Sequence, residues 1–218
     1  MSAATVRGQA ESRVNLSILH MLSAASHSRR VGDLEQEHST EDFGEFWNEI
    51  FASASAAVFT SVAALESYAN ELFIDHKRVF PQLRVEVMAK LWELYEQKPT
   101  LEKFEFALLL KEGPTFDRGG SPFQEVFAIM KLRNALIHFK PEWFSEQEEH
   151  AKISALLQHR ATLSPFFPPS EPLFPRGWAS YKTVKWVINS AVAFLLDFER
   201  RAEVDKRMGK FASRLSEI

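Results

Sequence analysis

Lys131, Arg133, Asn134, His138 and Lys140 crowd the end of one apolar, helix-patterned segment, and they are the residues of this chain whose types and spacing suit chemistry. At about 100° per residue on a helix, Arg133 and His138 project about 140° apart, a gap that the long arginine side chain can bridge. Asn134 and His138, four positions apart, share a face. Pro141 disfavours the α conformation at Lys140, so the helix must stop there and His138 falls in its last turn. Unsatisfied carbonyls at a helix C-terminus favour positive charge. Two long cations, an arginine and an imidazole in that place make a candidate site for an anion such as a phosphate. The bland alternative is a structural helix end, with Arg133 bound to a carboxylate and His138 capping carbonyls.

The elements that must position this site read as helices throughout. Apolar residues recur at helical spacing, and the period-2 alternation of half-buried strands is never sustained. The expected fold is all-α, an up-and-down helical bundle. A first helix is expected over residues 11–27. A long helix is expected to start at Ser39 or Thr40 as N-cap, with Glu41 and Asp42 in its first turn, and to reach toward Pro81. Its apolar stripe includes Phe43, Phe46, Trp47, Ile50, Val58, Leu65, Leu72 and Phe73. Further helices are expected over 82–97, 101–111, 123–138, 145–160 and 178–201, with a breaker-rich loop at 112–122. The helix carrying the site has an apolar approach through Phe127, Met130 and Leu132. Five prolines between residues 165 and 175 exclude regular helix or strand interiors there.

The run Arg133, Asn134, Ala135, Leu136, Ile137, His138 resembles the motif of the HEPN superfamily (higher eukaryote and prokaryote nucleotide-binding domains): an arginine, a polar residue, a few further positions, then histidine. Leu132 before the motif and Phe139 after it are also typical of that family. The segment 64–73 looks like part of its first core helix, so the similarity covers about residues 43–198. The resemblance implies an HEPN-like bundle, here with an extra N-terminal helix and a proline-rich loop before the last long helix. It implies metal-independent RNA cleavage at a composite site where two copies of the motif meet in a homodimer. His138 would move a proton, Arg133 would stabilise charge on phosphorus, and Asn134 would orient His138 or hold substrate. Glu66, on the long helix, would contact Arg133 or His138 if the helices pair as in the family, the alternative being a solvated or locally paired glutamate, while Lys131 and Lys140 would bind phosphate. The same resemblance points to a toxin or effector of bacterial antiviral defence or of a toxin-antitoxin system, with an antitoxin or regulatory protein as a further partner. Some members are scaffolds that no longer cut. A non-catalytic nucleotide- or RNA-binding module is therefore the alternative, and a helical adaptor using the proline-rich loop is a second.

Composition narrows the rest. The chain has 218 residues, 45% of them hydrophobic and 25% charged, enough for one sizeable core. The expected organisation is an N-terminal helical extension over 1–38, a bundle over 39–201 with the proline-rich loop at 163–176, and a charged C-terminal tail over 202–218. A net charge of −3 argues against a surface that coats long nucleic acid. The absence of cysteine removes thiolate nucleophiles and thiolate metal sites and fits a reducing, cytoplasmic setting. The charge-free stretches 50–65 and 186–196 fall short of a membrane span, so no membrane partner is expected. No cofactor or metal is expected either, since His20, His27, His38, His76, His150 and His159 lack ligand spacing and read as surface or helix-end residues. Gly119 and Gly120 read as a turn. Phe43, Phe46, Trp47 and Phe51 read as core rather than a stacking platform. Phe166, Phe167 and Phe174 read as folding back on the bundle.

Overall fold

A computed structural model describes residues 14–143, 146, 148–211 and 215; the ends of the expected extension and tail, and the start of the helix expected at 145, lie outside them. All regular structure among the described residues is helical: α1 (Ser17–Glu37), α2 (Phe46–Ile74), α3 (His76–Val79), α4 (Val85–Tyr95), α5 (Thr100–Leu110), α6 (Phe123–Ile137), α7 (Glu149–Leu157) and α8 (Tyr181–Ala202).

The first two helices form an antiparallel hairpin. Ser17 at the start of α1 donates its N–H and its hydroxyl to Glu71 near the end of α2 (3.0 and 2.8 Å). Arg30 donates to Glu49 at the opposite end (2.7 Å). Small side chains line the buried faces, with Ala24, Ala25 and Ser28 on α1 and Ala54, Ala57 and Ser61 on α2. Close approach of two backbones needs that economy of volume. α1 extends ten residues beyond its expected end, because Val31 and Leu34 continue the buried stripe of Ser28 beneath a polar surface run. The described part of the expected extension is therefore a wall of the bundle, sharing one core with the other helices.

α2 begins later than expected. Ser39 and Thr40 lie in a turn and do not cap it, and Phe43 stands outside the helix. Stacking of His38 on Phe46 (4.0 Å between ring centroids) holds that entry instead. Among the described residues α2 is the one helix long and apolar enough to cross a membrane, longer than its charge-free stretch alone. Half of its most apolar window is buried inside the bundle.

α8 runs alongside α2 in the same direction, as Trp178 meets Phe51 at one end (6.0 Å) and Tyr68 donates to Glu199 at the other (2.8 Å). Ser180 caps it: its Oγ accepts the Thr183 N–H (3.3 Å) and its hydroxyl donates to the Thr162 carbonyl (2.7 Å). Its C-terminus enters a segment that is more than a tail. Arg207 pairs with Glu71 and Asp75 (3.4 and 2.8 Å), and the N–H of fully buried Met208 donates to Glu199 (2.7 Å).

The proline-rich segment folds back on the bundle. Phe166 packs edge-on against Phe46 (4.9 Å), Phe167 sits against Phe43 and Trp47 (5.3 and 5.2 Å), and Phe174 is buried. Residues Leu173–Gly177 form one wide helical turn, interrupted by the extended backbone of Phe174. Gly177 is required there, because a Cβ would lie 2.4 Å from the Pro172 carbonyl oxygen.

Candidate functional site

α6 is built to present its C-terminus. Val126, Ile129 and Leu132 are fully buried and repeat at three-residue steps, which fixes the helix against α2 and α8. With Leu132 seated in the core, Arg133 falls at the edge of the α2–α6 contact and Asn134 falls on the surface.

The Arg133 guanidinium donates to the Glu66 carboxylate on α2, closing an ion pair between residues 67 apart in sequence. Glu66 also faces a second cation. Lys103 on α5 is 8% exposed and donates to Asn70 Oδ1 (2.8 Å). Burial pushes its ammonium pKa down, against the opposing pull of Glu66 and Glu96. Its amine also lies 5.3 Å from the Trp92 ring centroid, an additional attraction for a half-dehydrated cation. The carboxylate that holds Arg133 thus also attracts the charge of Lys103 on α5.

His138 is the C-cap residue of α6. Its backbone N–H donates to the Asn134 carbonyl (2.9 Å) and its backbone leaves the helical conformation. Its imidazole is exposed and makes no hydrogen bond with the described residues, so this histidine does not cap carbonyls through its ring. No side-chain hydrogen bond joins Arg133 to His138, or Asn134 to His138, among the described residues. The shared face of Asn134 and His138 therefore yields no side-chain hydrogen bond between them among the described residues.

Asn134 and Lys131 line a different feature, an open cleft of about 1100 Å³ between α5, α6 and the loop after α5. Tyr95, Phe106, Phe116 and Phe127 supply its apolar lining. The Lys131 amine sits 5.4 Å from the centre of the Phe127 ring, and Arg118 makes a two-pronged bond to Glu105 at the rim (2.6 and 2.7 Å). Asp117 accepts the Gly119 N–H (2.9 Å), closing the expected turn in that loop. Lys140 is exposed, and its contribution to local structure is its carbonyl.

Two groups near the site take roles that differ from their reading in the sequence. Lys103 reads as an ordinary surface lysine until Trp92 and Asn70 are brought to it. His150, expected at the surface or a helix end, stands at the start of α7 but is only 5% exposed. Its position was readable: His150, Ile153 and Leu157 step by three and four along the inward face of α7. Among the described residues no three histidine, aspartate or glutamate side chains converge as metal ligands.

No family model matches this chain, and no curated protein or solved structure is significantly similar to it. The resemblance to HEPN proteins accordingly stands on the motif itself.

Proposed function

We propose that this protein is a metal-independent endoribonuclease of the HEPN kind, acting as a homodimer in which two copies of α6 bring their motifs together. The observation that carries the reading is the α6 terminus, where Arg133 is tethered to Glu66 and is followed, after four residues, by an exposed imidazole. The tether limits the wandering of a long side chain while keeping its fixed positive charge at the helix end.

In the proposed reaction a ribose 2'-hydroxyl attacks the adjacent phosphodiester. The bond from O2' to phosphorus forms as the bond to the leaving 5'-oxygen breaks, giving a cyclic phosphate and a free 5'-hydroxyl. His138 takes the proton of the attacking hydroxyl, and the corresponding imidazolium returns one to the leaving oxygen. Arg133 stabilises the charge on the pentavalent phosphorus. Lys131 and Lys140, both exposed near the same helix end, attract the flanking phosphates, and Asn134 holds substrate rather than His138. A role as toxin or effector in bacterial defence or a toxin-antitoxin system follows from the same resemblance, with an antitoxin or regulator as partner.

The decisive experiment incubates the purified protein with defined RNA in EDTA, beside Arg133→Ala and His138→Ala. Cleavage by the native protein with loss of at least a hundredfold in either variant is expected, on the scale of general acid–base catalysis. Absence of cleavage, or equal cleavage by the variants, removes the enzyme reading. Sedimentation adds a second check, since a strict monomer is incompatible with a two-copy site.

One observation favours a non-catalytic binding or scaffold module. The charge of Arg133 is already neutralised by Glu66, as in a structural helix end. For the adaptor reading the support is weaker, because Phe166, Phe167 and Phe174 are committed to the bundle.

A further inference from the structure

The backbone leaving His138 is gripped from one place. His150, at the start of α7, donates its Nε2–H to the Lys140 carbonyl (2.9 Å). Since a carbonyl only accepts, the hydrogen must reside on Nε2. The same ring lies flat against Phe139, with centroids 5.3 Å apart and planes 24° from parallel. Phe174 packs edge-on against it at 5.1 Å and lies 6.2 Å from Phe139, so the three rings form one cluster. One imidazole therefore holds both residues that follow His138, Phe139 by its face and Lys140 by its N–H. Glu142 completes the loop by accepting the N–H groups of Glu149 and His150 (3.0 and 3.1 Å).

A buried imidazole is an expensive way to fill this space. The Nδ1 atom of His150 has no hydrogen-bond partner among the described residues, and the nearest carboxylate, Glu142, is 3.9 Å away. An unpaired buried polar atom is unfavourable, and a leucine would pack against Phe139 and Phe174 without that penalty. What leucine cannot do is anchor the Lys140 carbonyl.

We propose that His150 is a positioning residue that fixes the backbone carrying the His138 imidazole. His138 sits between the last hydrogen bond of α6, made by its own N–H to Asn134, and the grip on Phe139 and Lys140. Its backbone is set before substrate arrives, while its ring stays exposed. The value of that order for a reaction at His138 rests on the ribonuclease reading; the order itself does not.

The test compares His150→Leu, which keeps bulk and removes the donor, with His150→Gln, whose amide N–H replaces Nε2–H. Cleavage kinetics are read together with ¹⁵N relaxation of the backbone amides of residues 138–140. His150→Leu is expected to loosen those amides on the fast timescale and to lower kcat about tenfold, the size expected for leaving one residue's backbone unfixed, with KM within twofold. His150→Gln is expected to restore both. Unchanged amides in His150→Leu, or equal loosening in both variants, overturns the proposal. If the native protein cuts no RNA, the ribonuclease reading falls alone, and loosening in His150→Leu with recovery in His150→Gln still upholds the grip on His138.

Discussion

Arg133 and Glu66 form an ion pair that ties the end of α6 to the middle of α2, with the arginine three-quarters buried and the glutamate half-exposed. Partial exposure limits what such a pair contributes to stability, so its main consequence is placement. Removing Glu66 is expected to free the guanidinium. A double-mutant cycle with Glu66→Ala and Arg133→Ala should give a coupling of about 0.5–1 kcal/mol in urea unfolding. A coupling indistinguishable from zero would mean the pair does not hold in solution.

Phe104 on α5 is fully buried, with Phe198, Phe194 and Tyr68 around it at 4.9, 5.1 and 6.1 Å. Phe104→Ala leaves a cavity that three large rings on two other helices cannot close. A loss of about 3–5 kcal/mol is expected in equilibrium denaturation; a loss under about 1 kcal/mol would contradict this packing.

Ser180→Ala removes both the acceptor for the Thr183 N–H and the donor to the Thr162 carbonyl. Thermal or urea unfolding should register a cost of about 1–2 kcal/mol, at the upper side for an N-cap because two bonds are lost. Ser180→Gly does not restore the hydroxyl, so it should not recover the full amount.

Glu142 gives the fold an acid sensitivity beside the candidate site. Desolvation pushes its carboxyl up, but the N–H groups of His150 and Glu149 push harder the other way, and the net pKa lies below the ordinary value of 4.5. A carboxyl depressed in the folded state contributes stability above its unfolded pKa and loses it as pH falls through the folded one. The native protein should therefore melt above Glu142→Gln at about pH 7, with the gap shrinking as pH falls below about 4. A gap that stays constant, or widens in acid, would refute the assignment.

Sequence periodicity alone was sufficient for the helical class and for most helices, because a 3.6-residue apolar stripe is a local signal that packing seldom overrides. It failed where a terminus depends on distant partners. The end of α1 is hidden under polar surface residues and revealed by the burial of Val31 and Leu34. The start of α2 is held by ring stacking rather than by Ser39 or Thr40. The last described segment looks merely charged until Arg207 meets Glu71 and Asp75.

At the site the division is similar. The sequence by itself determined that a basic helix end carries Arg133, Asn134 and His138, since Pro141 and the apolar run before Leu132 are neighbours in the chain. Only the tertiary structure decided that the arginine is held by Glu66, that Asn134 turns to the aromatic cleft beside Lys131, and that His150 grips the residues after His138. Those outcomes depend on which side chains of α2, α5 and α7 arrive beside α6. Helix spacing fixes angles around one axis, and only packing several axes together turns angles into contacts.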